Sequence, residues 1–249
     1  MLELRNLSAG YPGNPVFRDI SLVFPAGKVT VLAGPNGCGK STLLKAVTGI
    51  LPCRGEILLN GEAAPTVPRQ RAKCIAYLPQ SRQVPEITVQ RLVLHGRFPY
   101  LSYPRQYRKE DYAAAEAAME ALGISPLAGR SLASLSGGQR QKAYLSMLLA
   151  QDTPVVLLDE PTTFLDISHQ LQLMDLARQM ARSGKTVVLV LHDLTLALEH
   201  ADHLAVMHDG TIAVSGAPED VYQSGRLREV FGIDTGRTQI DGRWKYFYI

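Results

Sequence analysis

The chain has 249 residues, 46% of them hydrophobic and 20% charged, with a formal net charge of +3. That make-up excludes a disordered or fibrous protein and fits one large α/β domain or a core with an inserted subdomain. No apolar run approaches the roughly 20 residues that span a bilayer, and residues 1–7 lack the basic-then-apolar pattern of a secretory signal, so a cytosolic chain is expected.

Cys38, Cys53 and Cys74 are odd in number and show no C-x-x-C pairing, which predicts reduced thiols rather than a disulfide framework. The charge is uneven. Between Arg69 and Lys109 lie nine basic residues and one acid, Glu86, so this stretch carries +8 and the remainder −5. Such a local excess fits a surface facing something anionic, and fits a solvated face equally well.

In chain order, the first segment reads as β structure. Residues 2–7 alternate, and residues 16–24 follow a Pro/Gly/Asn turn that holds Tyr11. An aromatic ring there could stack on a purine, although a lone tyrosine is more often packing. Residues 28–33 read as a buried strand and residues 41–49 as a helix closed by a glycine. Between them Gly34, Pro35, Asn36, Gly37, Cys38, Gly39, Lys40, Ser41 and Thr42 carry the spacing G-x-x-x-x-G-K-[ST] of a phosphate-binding loop. The glycines let backbone N–H groups turn in around phosphate oxygens, and the helix N-terminus adds partial positive charge. Lys40 then reaches the β- and γ-phosphates of a nucleotide, and Ser41 holds Mg²⁺.

Residues 56–62 form a hairpin candidate with Asn60-Gly61 at its tip. A short apolar strand over 75–80 ends in Gln80. After it the pattern turns helical over 88–96 and 109–122, with a rigid aromatic loop over 98–104 between them. We read residues 81–150 as a helical subdomain inserted into an α/β core. Near its end comes Leu135, Ser136, Gly137, Gly138, Gln139, in which Ser136 is a natural N-cap and two glycines leave N–H groups open to an anion.

The apolar run 155–158 ends in Asp159 and Glu160, which places both acids at the C-terminal edge of a parallel sheet, where ligands bind. Two roles follow: Asp159 for Mg²⁺, and Glu160 to orient or deprotonate a water. A helix over 166–182 and a second apolar strand over 185–191 lead to His192, placed to donate a hydrogen bond to a γ-phosphate. His200, His203 and His208 fall across a helix end and a strand, so they are not expected to form a metal site. Asp209-Gly210 and Asp241-Gly242 signal two further hairpins, and packing is the expected role of Trp244, Tyr246 and Tyr248 in the last strand.

This order of motifs resembles the ATP-binding-cassette ATPases over essentially the whole chain. The resemblance implies an α/β fold: a P-loop NTPase core with a mainly parallel sheet, an N-terminal antiparallel β subdomain and an inserted helical subdomain. The chain would then be one domain over 1–249, with 1–80 and 151–249 as core and 81–150 carrying the signature LSGGQ. It also implies roles. Tyr11 stacks on adenine. Gln80 links the core to the helical part and joins Ser41 and Asp159 at Mg²⁺. Glu160 is the catalytic acid, His192 the switch histidine, and Phe164-Leu165-Asp166 the loop that meets a partner subunit. ATP and Mg²⁺ are the implied cofactors. Ser136, Gly137, Gly138 and Gln139 would complete the nucleotide site of a second ATP-binding subunit, most simply an identical chain. Transmembrane permease subunits are the implied partners, with a substrate-binding protein engaged indirectly and no nucleic acid, at the inner face of the cell membrane. Residues 94–102 narrow the resemblance to importers of ferric siderophores, haem and cobalamin. Three other readings stand beside it: an importer of another small solute, a soluble relative acting on nucleic acid or ribosomes, and a regulator without turnover. The interval 42–135 has no sustained heptads and the chain holds one cassette, against the second; Glu160 argues against the third.

Overall fold

The computed structural model describes residues 1–80, 84–163 and 165–249. Arg82 of the basic stretch and Phe164 of the expected partner-facing loop lie outside them.

Strands β1 (Leu2–Tyr11) and β2 (Asn14–Phe24) pair antiparallel, and β3 (Val29–Ala33) runs through the glycine-rich turn into α1 (Lys40–Thr48). Next come β4 (Cys53–Leu59), β5 (Glu62–Ala63), the single turn α2 (Pro68–Arg71) and β6 (Ile75–Leu78). Three helices follow: α3 (Val89–His95), α4 (Lys109–Ala121) and α5 (Gly137–Gln151). The chain then alternates through β7 (Val155–Asp159), α6 (Ile167–Arg182), β8 (Thr186–Val190), α7 (Leu194–His200) and β9 (His203–His208). It closes with β10 (Thr211–Gly216), α8 (Pro218–Gln223), α9 (Arg226–Phe231), β11 (Thr235–Ile240) and β12 (Arg243–Tyr248).

The central sheet has the order β10-β9-β3-β8-β7-β6, parallel except for β10. A four-stranded antiparallel sheet, β2-β1-β4-β5, packs beside it. The α/β class expected from the sequence is therefore the observed one. Every residue of β3, β7 and β8 is buried, because a parallel sheet is covered on both faces. Alternation persists inside these apolar runs. Val156, Leu158, Val187 and Leu189 face a core shared with α5, α6 and α7. Val155, Leu157, Val188 and Val190 face the opposite way, onto α1 and the antiparallel sheet. The three expected hairpin tips, at Asn60-Gly61, Asp209-Gly210 and Asp241-Gly242, all have positive φ at both residues, as a type I′ turn requires. Among the described residues no helix is long and apolar enough to cross a membrane.

One expectation changes, the packing of Trp244 and Tyr248 in the last strand. The aromatic loop contains one 3-10 turn, Phe98–Tyr100, and Tyr103 beyond it is 95% exposed. Six of the eight described basic residues of the stretch are exposed, yet three of its arginines engage groups of the chain itself. Arg69 donates to the carbonyls of Pro99 and Leu101, Arg71 to that of Pro65, and Arg97 pairs with the buried Asp111 at 3.1 Å. Arg97 also donates to Ala150 O and the Tyr100 hydroxyl to Gln151 O, so both meet the carbonyls at the C-terminal end of α5. In the last strand Tyr246 is buried, but Trp244 and Tyr248 are 42% and 50% exposed. Trp244 stacks under the Arg237 guanidinium at 4.1 Å instead.

Gly96 explains how α3 reaches α5. A Cβ at this position would lie 2.2 Å from the backbone carbonyl oxygen of Met147, so the helices touch only because the side chain is absent. Gly96→Ala should therefore destabilise the chain by about 1–3 kcal/mol through forced separation of the helices. Urea denaturation measures it, and a midpoint equal to wild type would contradict the contact.

Candidate nucleotide-binding site

The loop between β3 and α1 is built around glycines that nothing else can replace. Gly34 has φ +153°, and a Cβ there would meet Met207 O at 2.1 Å; Gly39 has φ +111°, with the Met207 side chain at 2.7 Å from its would-be Cβ. Gly39 is also the N-cap of α1, which has no side-chain cap and no acid in its first turn. The helix start is thus left to accept an anion. Lys40 is buried, and its ammonium donates to Gly34 O at 2.7 Å and Pro35 O at 2.8 Å, with Cys38 Sγ at 3.8 Å. Three carbonyl and thiol contacts hold the cation at the centre of the loop.

The acids at the end of β7 differ sharply. Asp159 is 2% exposed and accepts from the Ser41 hydroxyl on one oxygen and the Tyr77 hydroxyl on the other, both at 3.0 Å. Burial raises its carboxyl above the ordinary range, against the lowering effect of those two hydroxyls. Burial likewise pushes the Tyr77 phenol up, with Asp159 adding to it. Glu160 instead opens to a cleft of about 480 Å³ lined by Asn36, Gly37, Gly39, Lys40, Ser41, Thr42, Gln80 and His192. Its Oε1 lies 2.6 Å from His192 Nε2, and its other oxygen accepts from Gln80 Nε2. Glu160 has φ +48°, and the other non-glycine residues with positive φ are all Asn or Asp among the described residues. Backbone strain of this kind costs on the order of 1–3 kcal/mol and marks functional positions.

Structure thus brings together, from four separate stretches, the loop, Gln80, the pair Asp159 and Glu160, and His192. Tyr11 is not among the residues lining the cleft; it ends β1, 46% exposed. Ser136, Gly138 and Gln139 line a different cleft, of about 490 Å³, with Lys142, Leu165, Asp166 and His169. There Ser136 caps α5 reciprocally with Gln139: Gln139 N–H donates to Ser136 Oγ at 3.3 Å and Ser136 N–H to Gln139 Oε1 at 3.2 Å. A hydroxyl that accepts this way keeps its own proton free to donate outward. Asp166 caps α6, and the His169 N–H together with the Ser168 hydroxyl holds its carboxyl down at about 2.

Residues 17–163 match the family described as ABC transporter. The chain belongs to that family. It is 45% identical, over 92% of its length and 87% of the relative's, to the achromobactin transport ATP-binding protein of Dickeya dadantii (strain 3937). To the ferric enterobactin transport ATP-binding protein of Escherichia coli (strain K12) it is 42% identical, over 93% of this chain and 87% of that one. A solved metal-chelate type ABC transporter in an inward-facing conformation superposes with a TM-score of 0.85 at 27% identity, covering 100% of this chain and 96% of the other. The chain is accordingly an ABC-type ATPase that binds ATP and couples hydrolysis to transport.

Sequence reasoning missed Tyr77. It sits mid-strand in β6, where an aromatic residue reads as ordinary β packing, and its partner Asp159 is 82 residues away. Because the folded state holds a proton on Asp159 more tightly than the unfolded chain, charging it costs stability above the raised pKa. That cost disappears as pH falls through it. Removing the Tyr77 hydroxyl deepens the cost. Tyr77→Phe should lose about 1–2 kcal/mol at pH 7, the gap to wild type narrowing on acidification through the carboxylate range. Denaturation curves at several pH values test this; a gap that widens towards acid would contradict it.

Proposed function

We propose that this chain is the ATP-hydrolysing subunit of an importer that takes up a metal chelate of the ferric siderophore, haem or cobalamin type. The ATPase part rests on one observation above all: Lys40, Ser41, Thr42, Gln80, Glu160 and His192 border a single cleft. The choice of cargo is supported by relatives that serve achromobactin and ferric enterobactin transport.

In this reading the loop amides and Lys40 bind the nucleotide phosphates, releasing Lys40 from the carbonyls of Gly34 and Pro35. Asn36, Gly37, Cys38, Gly39, Ser41 and Thr42 complete the cradle, and Tyr11 packs on the adenine. The hydroxyl of Ser41 beside the Asp159 carboxylate is a donor set of hard oxygens, which suits Mg²⁺. Ser41, Gln80 and Asp159 would hold the ion, which when bound neutralises charge on the β- and γ-phosphates. Glu160 orients and deprotonates the attacking water, and His192, already at its carboxylate, donates to the γ-phosphate. Ser136, Gly138 and Gln139 line a separate cleft, so we take them, with Gly137 between them in the chain, to serve the nucleotide of a second copy across a two-fold axis. Leu165 and Asp166 border that same cleft, which fits a role at the partner surface.

Residues 81–150 are taken as the helical subdomain, moving with ATP. Around the 98–104 loop, Lys73 lies over Tyr100, Arg105 over Phe98, and Arg108 donates to Ser102. This cationic, aromatic surface is the part of the basic stretch left for docking to a permease at the cytoplasmic face of the membrane, with the substrate-binding protein engaged only through it.

Glu160→Gln should lower ATP turnover by about 10²-fold or more while an ATP-bound dimer accumulates in size-exclusion chromatography. Turnover near the wild-type rate would remove Glu160 from its role. Mixing a Lys40→Ala chain with a Ser136→Ala chain should restore about a quarter of the wild-type sites, because half of the randomly paired dimers carry one intact site. Mixtures no more active than either parent would argue against the shared site.

A further inference from the structure

The last strand ends against the segment that carries His192. His192 leaves the buried edge of β8 after Leu191, which is 1% exposed, and the next residue, Asp193, caps α7. The imidazole itself is 45% exposed, so few direct contacts set its direction. The residues immediately after it are tightly held. Asp193 Oδ1 accepts from Thr195 N–H at 2.8 Å, Thr195 Oγ1 at 2.6 Å and Leu196 N–H at 3.1 Å. A fourth donor comes from 55 residues away: the Tyr248 hydroxyl, at 3.2 Å. The same hydroxyl accepts the Leu194 N–H at 3.0 Å. One phenol therefore hooks two consecutive residues directly after His192, using both its donor and an acceptor position.

The grip continues along the strand. Lys245 pairs with Glu199 in the last turn of α7, and Tyr246 N–H donates to the same carboxylate at 3.3 Å. Strand β12 thus holds α7 at both ends.

We infer that Tyr248 is a positioning residue for ATP hydrolysis: it fixes the backbone after His192, and so the direction in which the imidazole meets Glu160 and the γ-phosphate. This rests on the role given to His192 above. The helix does not need Tyr248 in order to form, since three local donors still satisfy Asp193 without it. What its hydroxyl adds is a long-range constraint on one peptide segment.

The experiment compares Tyr248→Phe in the full chain with wild type, with Tyr246→Phe as control and His192→Ala alongside. Tyr246 lies on the same face of the strand, but its hydroxyl meets Glu219 rather than Asp193. Tyr248→Phe should lower kcat about three- to tenfold, the net worth of one ordinary hydrogen bond, with KM for ATP changed less than twofold. The melting temperature should stay close to wild type, and the His192 ring signal in a ¹³C-histidine NMR spectrum should shift or broaden. Tyr246→Phe should leave kcat and the His192 signal unchanged. If His192→Ala abolishes turnover while Tyr248→Phe leaves kcat and the His192 signal at wild type, the positioning role is overturned and the role of His192 stands. A loss of kcat in Tyr248→Phe matched by a fall in melting temperature, with the His192 signal unmoved, would reduce Tyr248 to a structural residue and overturn it as well. If His192→Ala itself turns over normally, the reading of His192 fails first and the inference with it.

Discussion

Asp159 sits 2% exposed at the end of β7 and draws three elements onto itself: Ser41 from α1, Tyr77 from β6, and through its neighbour Glu160 the segment after β8. A carboxylate buried so deeply is tolerable only where donors meet both of its oxygens. That requirement locks the depth of α1 against the sheet, and with it the position of the phosphate loop. The adjacent residue then has to turn out of the core, and Glu160 does so with a left-handed backbone. One acid is held in and the next is thrown out, and the different roles proposed for the two carboxylates start from that turn.

The parallel order β3-β8-β7 supplies the rest. Its C-terminal edge collects the phosphate loop, Glu160 and His192 from stretches more than 100 residues apart. No single connection has to be long, because each strand delivers its own residue to the same edge. A separate cleft lies where the chain after α4 meets the starts of α5 and α6.

How much of this could be read from the chain depends on how local each feature is. The strand, loop and helix around Gly34 to Thr42, the Ser136 N-cap and the Asp-Gly and Asn-Gly tips each carry their local structure within a few residues, and there the structure matches the sequence. The α/β class came from apolar runs whose length and burial leave little choice. The features that escaped have partners far along the chain. Tyr77 needs Asp159, Gly96 needs the Met147 carbonyl, and Tyr248 needs Asp193. The basic stretch is mostly surface, as its charge suggests, but the carbonyls that Arg69, Arg71 and Arg97 meet cannot be read from charge alone. Tyr11 and the aromatics of β12 were ambiguous as single residues, since exposure, not identity, separates packing from display.

Helix α5 begins at the Ser136–Gln139 cap and ends where Arg97 and Tyr100 take its final carbonyls. Fifteen helical residues make a rod of about 22 Å, stiff over that length. Its two ends are therefore mechanically one object. A tug delivered at the glycines of the signature would arrive at the aromatic loop without any segment having to refold, the action of a push-rod and not of a chain of switches.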